Sequence, residues 1–175
     1  MARNLLEIRN ARIMFRNFSG LEKKAMVNGT MRTVNEEGDR NFNIVLNAEE
    51  STVKWNGEPV TSTEELIDIL QRNYFQISVR PAKEEGDLPQ YRMKVSLNYE
   101  GSIRPRLYMI SAGNPTLLDE ETVTDLDISD ICKADVVINS GKMFINNKGE
   151  EAVKAWCNEG YFTVLRSDLA SEYGV

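Results

Sequence analysis

The sequence predicts a mainly β domain, a small barrel or sandwich with one helix, and three observations carry that expectation. Apolar and polar residues alternate in short runs, most clearly in Tyr91-Arg-Met-Lys-Val-Ser-Leu-Asn-Tyr99, where every second residue is apolar. Turn signals such as Asn28-Gly29, Asn56-Gly57 and Ser140-Gly141 separate the runs. Only the segment opening at Ser62 combines a helix start with a helical spacing of apolar residues. At 175 residues, without repeats or a linker, the chain fits one domain over 1–175 and is long enough to bury a sizeable core.

Taken in order, residues 5–18 read as a strand, with Leu6, Ile8, Ile13 and Phe15 in mixed alternation and Asn10-Ala11 marking a bulge or bend. Residues 21–39 are polar, a loop or mobile hairpin, and 42–46 form the next strand. Residues 52–60 are a hairpin about Asn56-Gly57. Ser62 stands three residues before Glu65, the spacing of a capping box, and Leu66, Ile69 and Leu70 give the helix its apolar face to about Arg72. Strands follow at 74–80, 91–99 and 103–111, the last with Pro105 at an edge or bulge. Residues 115–131 suit a short helix and loop. A hairpin is expected from 135–139 and 142–146 about Ser140-Gly141. The last strands are 151–157 and 161–165, with Gly160 as bulge or turn, and 168–173 fits one helical turn.

Composition excludes much chemistry. Histidine is absent, which removes Ser-His, Cys-His and histidine–metal mechanisms. No glycine-rich phosphate loop is present, and paired acids such as Glu84-Glu85 and Glu120-Glu121 have no nucleophile beside them. Asp125, Asp127 and Asp130 lack the glycine and the closing glutamate of a calcium loop. No enzyme, metal or cofactor is therefore expected. Cys132 and Cys157 stand far apart and read as buried free thiols of a reducing compartment. With no apolar run long enough to span a bilayer and no secretory h-region, the expectation is a soluble cytoplasmic protein.

The net charge of −6 argues against a polyanion partner, but it is unevenly spread. Residues 117–135 hold seven acids against one base, whereas residues 1–47 hold eight bases against five acids. Local field, not total charge, steers a strand into a groove. Within residues 1–47 arginines stand beside aromatics: Arg12, Phe15, Arg16, Phe18, Arg40 and Phe42. Arginine offers phosphate a cation and phenylalanine offers a base a flat face, the combination used to hold single-stranded nucleic acid without reading it. Alternation places Phe15 and Arg16 on opposite faces, so Phe15 or Phe42 belongs to the core, and Phe18, at a strand end, is the free ring.

A second candidate surface is Arg92 and Lys94 with Arg104, Arg106 and Tyr108, against the alternative of a charged, solvated strand face. Trp55, at a hairpin tip, either clamps a base or packs its hairpin on the domain. Trp156 reads as core, with Lys154 on its face able to reach a strand from an edge.

Arg9-Asn-Ala-Arg-Ile-Met-Phe-Arg-Asn-Phe-Ser-Gly20, followed by Gly38-Asp-Arg-Asn-Phe42, resembles the opening of a family of tailed-bacteriophage single-stranded DNA-binding proteins. The likeness continues at Glu84-Glu-Gly-Asp-Leu-Pro-Gln-Tyr-Arg-Met-Lys-Val95 and returns in Ala134-Asp-Val-Val-Ile138, Val153-Lys-Ala-Trp156 and Tyr161-Phe-Thr-Val164. Beside that family, 21–37 and 51–62 look like insertions. The resemblance implies an OB-like small β-barrel with one helix and inserted hairpins. It implies sequence-independent coating of single-stranded DNA in phage replication or recombination, in the host cytoplasm, with self-association along the strand. The acidic segment 117–135 would then compete for the groove or dock replication or recombination proteins. The alternative is an acidic phage interaction protein that mimics DNA or inhibits a host nuclease or defence factor.

Overall fold

Alternation is the dominant signal of the sequence, and strands dominate the computed structural model, which describes residues 4–101 and 104–165. Strands β1 (Leu5–Ala11) and β2 (Ile13–Asn17) are followed by β3 (Lys23–Val27), β4 (Thr30–Asn35), β5 (Arg40–Leu46), β6 (Thr52–Trp55) and β7 (Glu58–Val60). Helix α1 (Thr63–Arg72) comes next, then β8 (Ser78–Arg80), β9 (Gln90–Leu97), β10 (Arg106–Ser111) and β11 (Asn114–Leu118). A 3-10 helix (Thr122–Asp127) leads into β12 (Ile131–Ile145) and β13 (Glu151–Val164). The helical turn expected at 168–173 lies outside the described residues.

Local chemistry accounts for the boundaries. Asn10 takes a φ of 58°, the expected bend, and β1 and β2 are two halves of one strand broken at Arg12. Asn56 and Gly57 both have positive φ, the requirement of a tight turn between β6 and β7. Ser62 Oγ accepts the Glu65 N–H at 3.0 Å, capping α1, which buries Leu66, Ile67 and Leu70.

The main sheet runs β2-β5-β9-β13-β12-β1-β6-β7, with β8 on β9, and β10 between β11 and β13. The path ends at β2 and β7 and does not close into a barrel among the described residues. β3 and β4 form a separate two-stranded sheet. β9 and β13 are joined only at Val95↔Ala155 and Ser96↔Trp156, the thinnest seam on the path. Phe18, Phe42 and Phe162 interlock at the centre of the core, Phe18 stacked on Phe42 at 5.3 Å and both edge-on to Phe162.

Several elements differ from expectation. β12 and β13 are single long strands, and their turn lies at 146–150, where Asn146 Oδ1 accepts the N–H groups of Lys148 and Glu150. Ser140-Gly141 instead lies in a register shift of β12. Gly141 is there for close packing: a Cβ would meet Trp156 Nε1 at 2.5 Å. At Gly160 a Cβ would meet Phe162 at 2.8 Å, so this glycine also serves packing inside a strand. Of residues 74–80 only 78–80 join a ladder, plus a bridge from Phe75 to Val153. Of residues 115–131, expected as a short helix and loop, 122–127 form the 3-10 helix, while 114–118 pair with β10 as a strand. Cys132 is exposed; Cys157 is buried, and burial pushes its thiol up to about 12.

Candidate nucleic-acid interface

Strand register sorts side chains between the core and an outer face. Phe42↔Val95 and Ile44↔Met93 point into the core, so Asn41↔Ser96, Asn43↔Lys94 and Val45↔Arg92 face out. The same alternation brings Arg12 onto the outer face from the end of β2, and Arg80 from β8, where it pairs with Gln90. Lys154 and Trp156 join them from β13, with Trp156 opposite Ser96.

Phe15 stands out on this face. It lies in a register shift of β2 with a φ of 51°, a conformation that phenylalanine rarely adopts, and the residue is 60% exposed. The Arg92 guanidinium lies 5.1 Å from the ring centroid. Backbone strain that holds an apolar ring in water has no benefit for the core, and such strain concentrates at binding sites.

A groove of about 360 Å³ opens along the thin β9–β13 seam. Met93, Val153 and Ala155 contribute apolar lining, with Phe75 and Phe144, and Lys94 and Lys154 supply cations. Lys154 Nζ sits 4.8 Å from the centroid of Trp156, which is half-buried, not core. Asp39 approaches Lys94 at 3.3 Å as the competing anion. Ser96 is 2% exposed and its Oγ has no hydrogen-bond partner, as is also true of Arg92 Nε and Gln90 Oε1 in the same row of β9. Unmet buried polar groups are uncommon in a folded protein, and each of these calls for a water or another partner.

Further along β13, on the same edge that pairs with β9, β10 contributes another cation–aromatic group. Tyr108 and Tyr161 stack at 5.2 Å, and Arg106 donates to the Tyr108 hydroxyl at 2.8 Å. Tyr161 donates to Glu159 at 2.5 Å, a bond that holds the Tyr161 hydroxyl above its ordinary pKa. Arg104 is also exposed.

The other residues expected at the site lie elsewhere. Phe18 and Phe42 have no exposed surface, so neither can stack on a base; burying them fills the core. Arg16 donates to the carbonyls of Leu126 and Ser129 at 2.8 and 2.5 Å, which fastens the 3-10 helix to β2. Arg40 donates to Phe18 O and Glu120 O and lies over Tyr99. Trp55 packs edge-on against Phe75 and is part of the fold. Part of the acidic segment is structural as well: Asp127 accepts from the Phe18 and Ser19 N–H groups and the Ser19 hydroxyl, and Asp135 from Asn10 N–H.

Phe144, exposed Tyr74 next to Phe75, and Arg80 were missed in the sequence. Their one signal is a cation near an aromatic, as in Lys142-Met-Phe144.

Residues 2–175 match the family described as "Putative phage ssDNA-binding domain", and the chain belongs to that family. The single-stranded DNA-binding protein of bacteriophage Enc34, solved in complex with ssDNA, is similar in fold, with a TM-score of 0.50 at 10% identity over 94% of this chain and 88% of that one. A C-terminal truncation of the same phage protein matches with a TM-score of 0.51 at 11% identity, over the same shares of both chains. No curated protein matches the chain.

Proposed function

We propose that the chain coats single-stranded DNA without regard to sequence, on the outer face of β2, β5, β9 and β13, and that its fold is an OB-like variant. In support of the fold reading, β1 and β2 are one bent strand, its first half paired with β12 and its second with β5. The observation that carries the function is the Phe15–Arg92 stack beside the lysine-rimmed groove. Phosphates pair with Arg12, Arg92, Lys94 and Lys154 and release counterions. Bases stack on Phe15 and Phe144, and every base has a face to offer. Nothing in this mechanism makes or breaks a bond. Family membership supports the reading, and no helix among the described residues is long and apolar enough to cross a membrane. The acid-rich segment is held to the domain by Arg16 and by Asp127, which weighs against its acting as a free DNA mimic. Photo-crosslinking to an oligonucleotide carrying 5-iododeoxyuridine tests the site. Cross-links are expected at Phe15, Phe144 or Trp156, and cross-links confined to residues 117–135 would refute it.

A further inference from the structure

The β3–β4 ribbon and the acid-rich 3-10 segment leave the domain side by side. Asp127 Oδ1 accepts the Phe18 N–H at 2.6 Å, and Arg40 Nη1 donates to Phe18 O and Glu120 O at 2.8 and 3.1 Å. These bonds hold the segment against the chain just ahead of the ribbon. Asn17 Nδ2 donates to Leu21 O, and Asn35 Nδ2 to the carbonyls of Leu21, Glu36 and Asp39, which closes the ribbon's root. Both asparagines are buried, so the root is fixed and the ribbon keeps one direction relative to the segment.

The two neighbours have opposite compositions. From 23 to 35 the ribbon carries Lys23, Lys24 and Arg32 and no acid, whereas 119 to 130 carries six acids and no base. The pairs Lys24↔Thr33 and Met26↔Met31 set Lys24 and both methionines on one ribbon face, and Arg32, opposite Ala25, on the other. Met26 and Met31 are 63% and 59% exposed. Ile128 is 87% exposed and stands between the exposed acids Asp125 and Asp130. Each surface is thus an apolar patch flanked by one sign of charge. Among the described residues no ion pair joins the ribbon to its own chain's 119–130, and Lys24 meets Glu22 at 3.5 Å. A lone two-stranded hairpin is marginal in water, and its exposed methionines do nothing for the core. The acids beside it repel a polyanion from this edge and attract a basic surface. Basic and acidic patches side by side are self-complementary under a two-fold rotation, so a second copy satisfies both at once.

We propose that this edge pairs two copies of the chain as a closed dimer, the ribbon of each lying on the 3-10 segment of the other. Met26 and Met31 cover the partner's Ile128, and Lys24 meets the acids around it. The ribbon is about 20 Å long at six residues a strand. So small a contact makes the association weak, in the micromolar range, and sensitive to salt. It uses neither the groove nor Phe15, so it stands apart from DNA binding and its test needs no DNA.

The test is sedimentation velocity of the full chain from about 1 to 200 µM, at low salt and at about 0.5 M salt. The parent is expected to pass from monomer to dimer across that range at low salt, and added salt to return it toward monomer. K24E and D125K/D130K each set like charges against one another in the contact, so each alone is expected to stay monomeric. Mixed in equal amounts they are expected to form a heterodimer, because both contacts then join opposite charges. M26S/M31S and I128S test the apolar half without touching charge and are expected to weaken the dimer about tenfold or more. R32Q, on the other ribbon face, is expected to keep the parental dimer. A parent that stays monomeric to about 200 µM at low salt, or that grows past the dimer into an open chain, would overturn the inference. So would parental dimerisation in both M26S/M31S and I128S, or a mixture of the two charge variants that stays monomeric while the parent pairs.

Discussion

Replacing Phe15 with alanine separates binding from folding more cleanly than any other single change on the outer face. A phenylalanine side chain has about 200 Å² to bury, and 60% of Phe15 remains exposed beside Arg92. About 120 Å² is thus available, and one stacked base covers roughly half of it. At about 25 cal/mol per Å² that is ~1.5 kcal/mol, or about tenfold in Kd. The same figure lies within the range of about 1–3 kcal/mol found for base–aromatic stacking. Stability should move by no more than about 0.5 kcal/mol, because the ring fills no core space. Phe42→Ala is the contrasting change: Phe42 is fully buried against Phe18 and Phe162, so this variant should lose about 3–5 kcal/mol of stability. Anisotropy on oligo-dT and urea unfolding of the same preparations give both quantities. Parental affinity in Phe15→Ala would refute the reasoning, since nothing else explains a strained, exposed ring there.

Three further outcomes follow from the same geometry. Changing Lys94 and Lys154 to glutamine should flatten the salt dependence of binding by about 1.4, at about 0.7 per lost phosphate contact, while stability falls by no more than about 1 kcal/mol through loss of the exposed Lys94–Asp39 pair. Arg16→Ala leaves the Leu126 and Ser129 carbonyls without their charged donor, so unfolding in urea should show a loss of about 1.5–3 kcal/mol while the folded fraction binds DNA as the parent does. The Cys157 thiol, normally near 9.0, is raised to about 12 by burial. Its contribution is fully present below pH 9 and is lost as pH rises toward 12, because the unfolded thiol releases its proton first. Between pH 9 and 10, before buried Tyr99 adds its own loss, stability should fall, approaching about 1.4 kcal/mol per pH unit, and Cys157→Ala should remove that part of the slope.

The strands of residues 5–17, 40–46 and 90–97, the hairpin at Asn56-Gly57 and the capped helix were legible because each carries its own local signal. β12 and β13 were not, because a glycine that admits a tryptophan ring looks like a glycine that makes a turn. Only the Trp156 indole lying on Gly141, a contact across two strands, tells them apart. The site was half legible for a related reason. Alternation assigns Phe15 and Phe42 to faces only where strands are regular, and Phe15 lies where the β2 register slips. Arginines were visible as cations but not as partners: Arg16 is occupied by the distant carbonyls of Leu126 and Ser129 and Arg40 by those of Phe18 and Glu120, whereas Arg92 and Lys94 stay on the outer face. Exposed Cys132 and half-buried Trp156 were misplaced because solvent access at strand edges depends on what packs beside them.

Binding of labelled oligo-dT of about 30 nucleotides, challenged with unlabelled single strand or with duplex of the same length at several salt concentrations, tests the central claim most directly. The four outer-face cations assigned to phosphates, Arg12, Arg92, Lys94 and Lys154, predict saturable binding whose log affinity falls with log salt at a slope of about −3 or steeper. Unlabelled single strand of any composition should compete and duplex should not. No binding at low salt, a flat salt response, or equal competition by duplex would contradict the account.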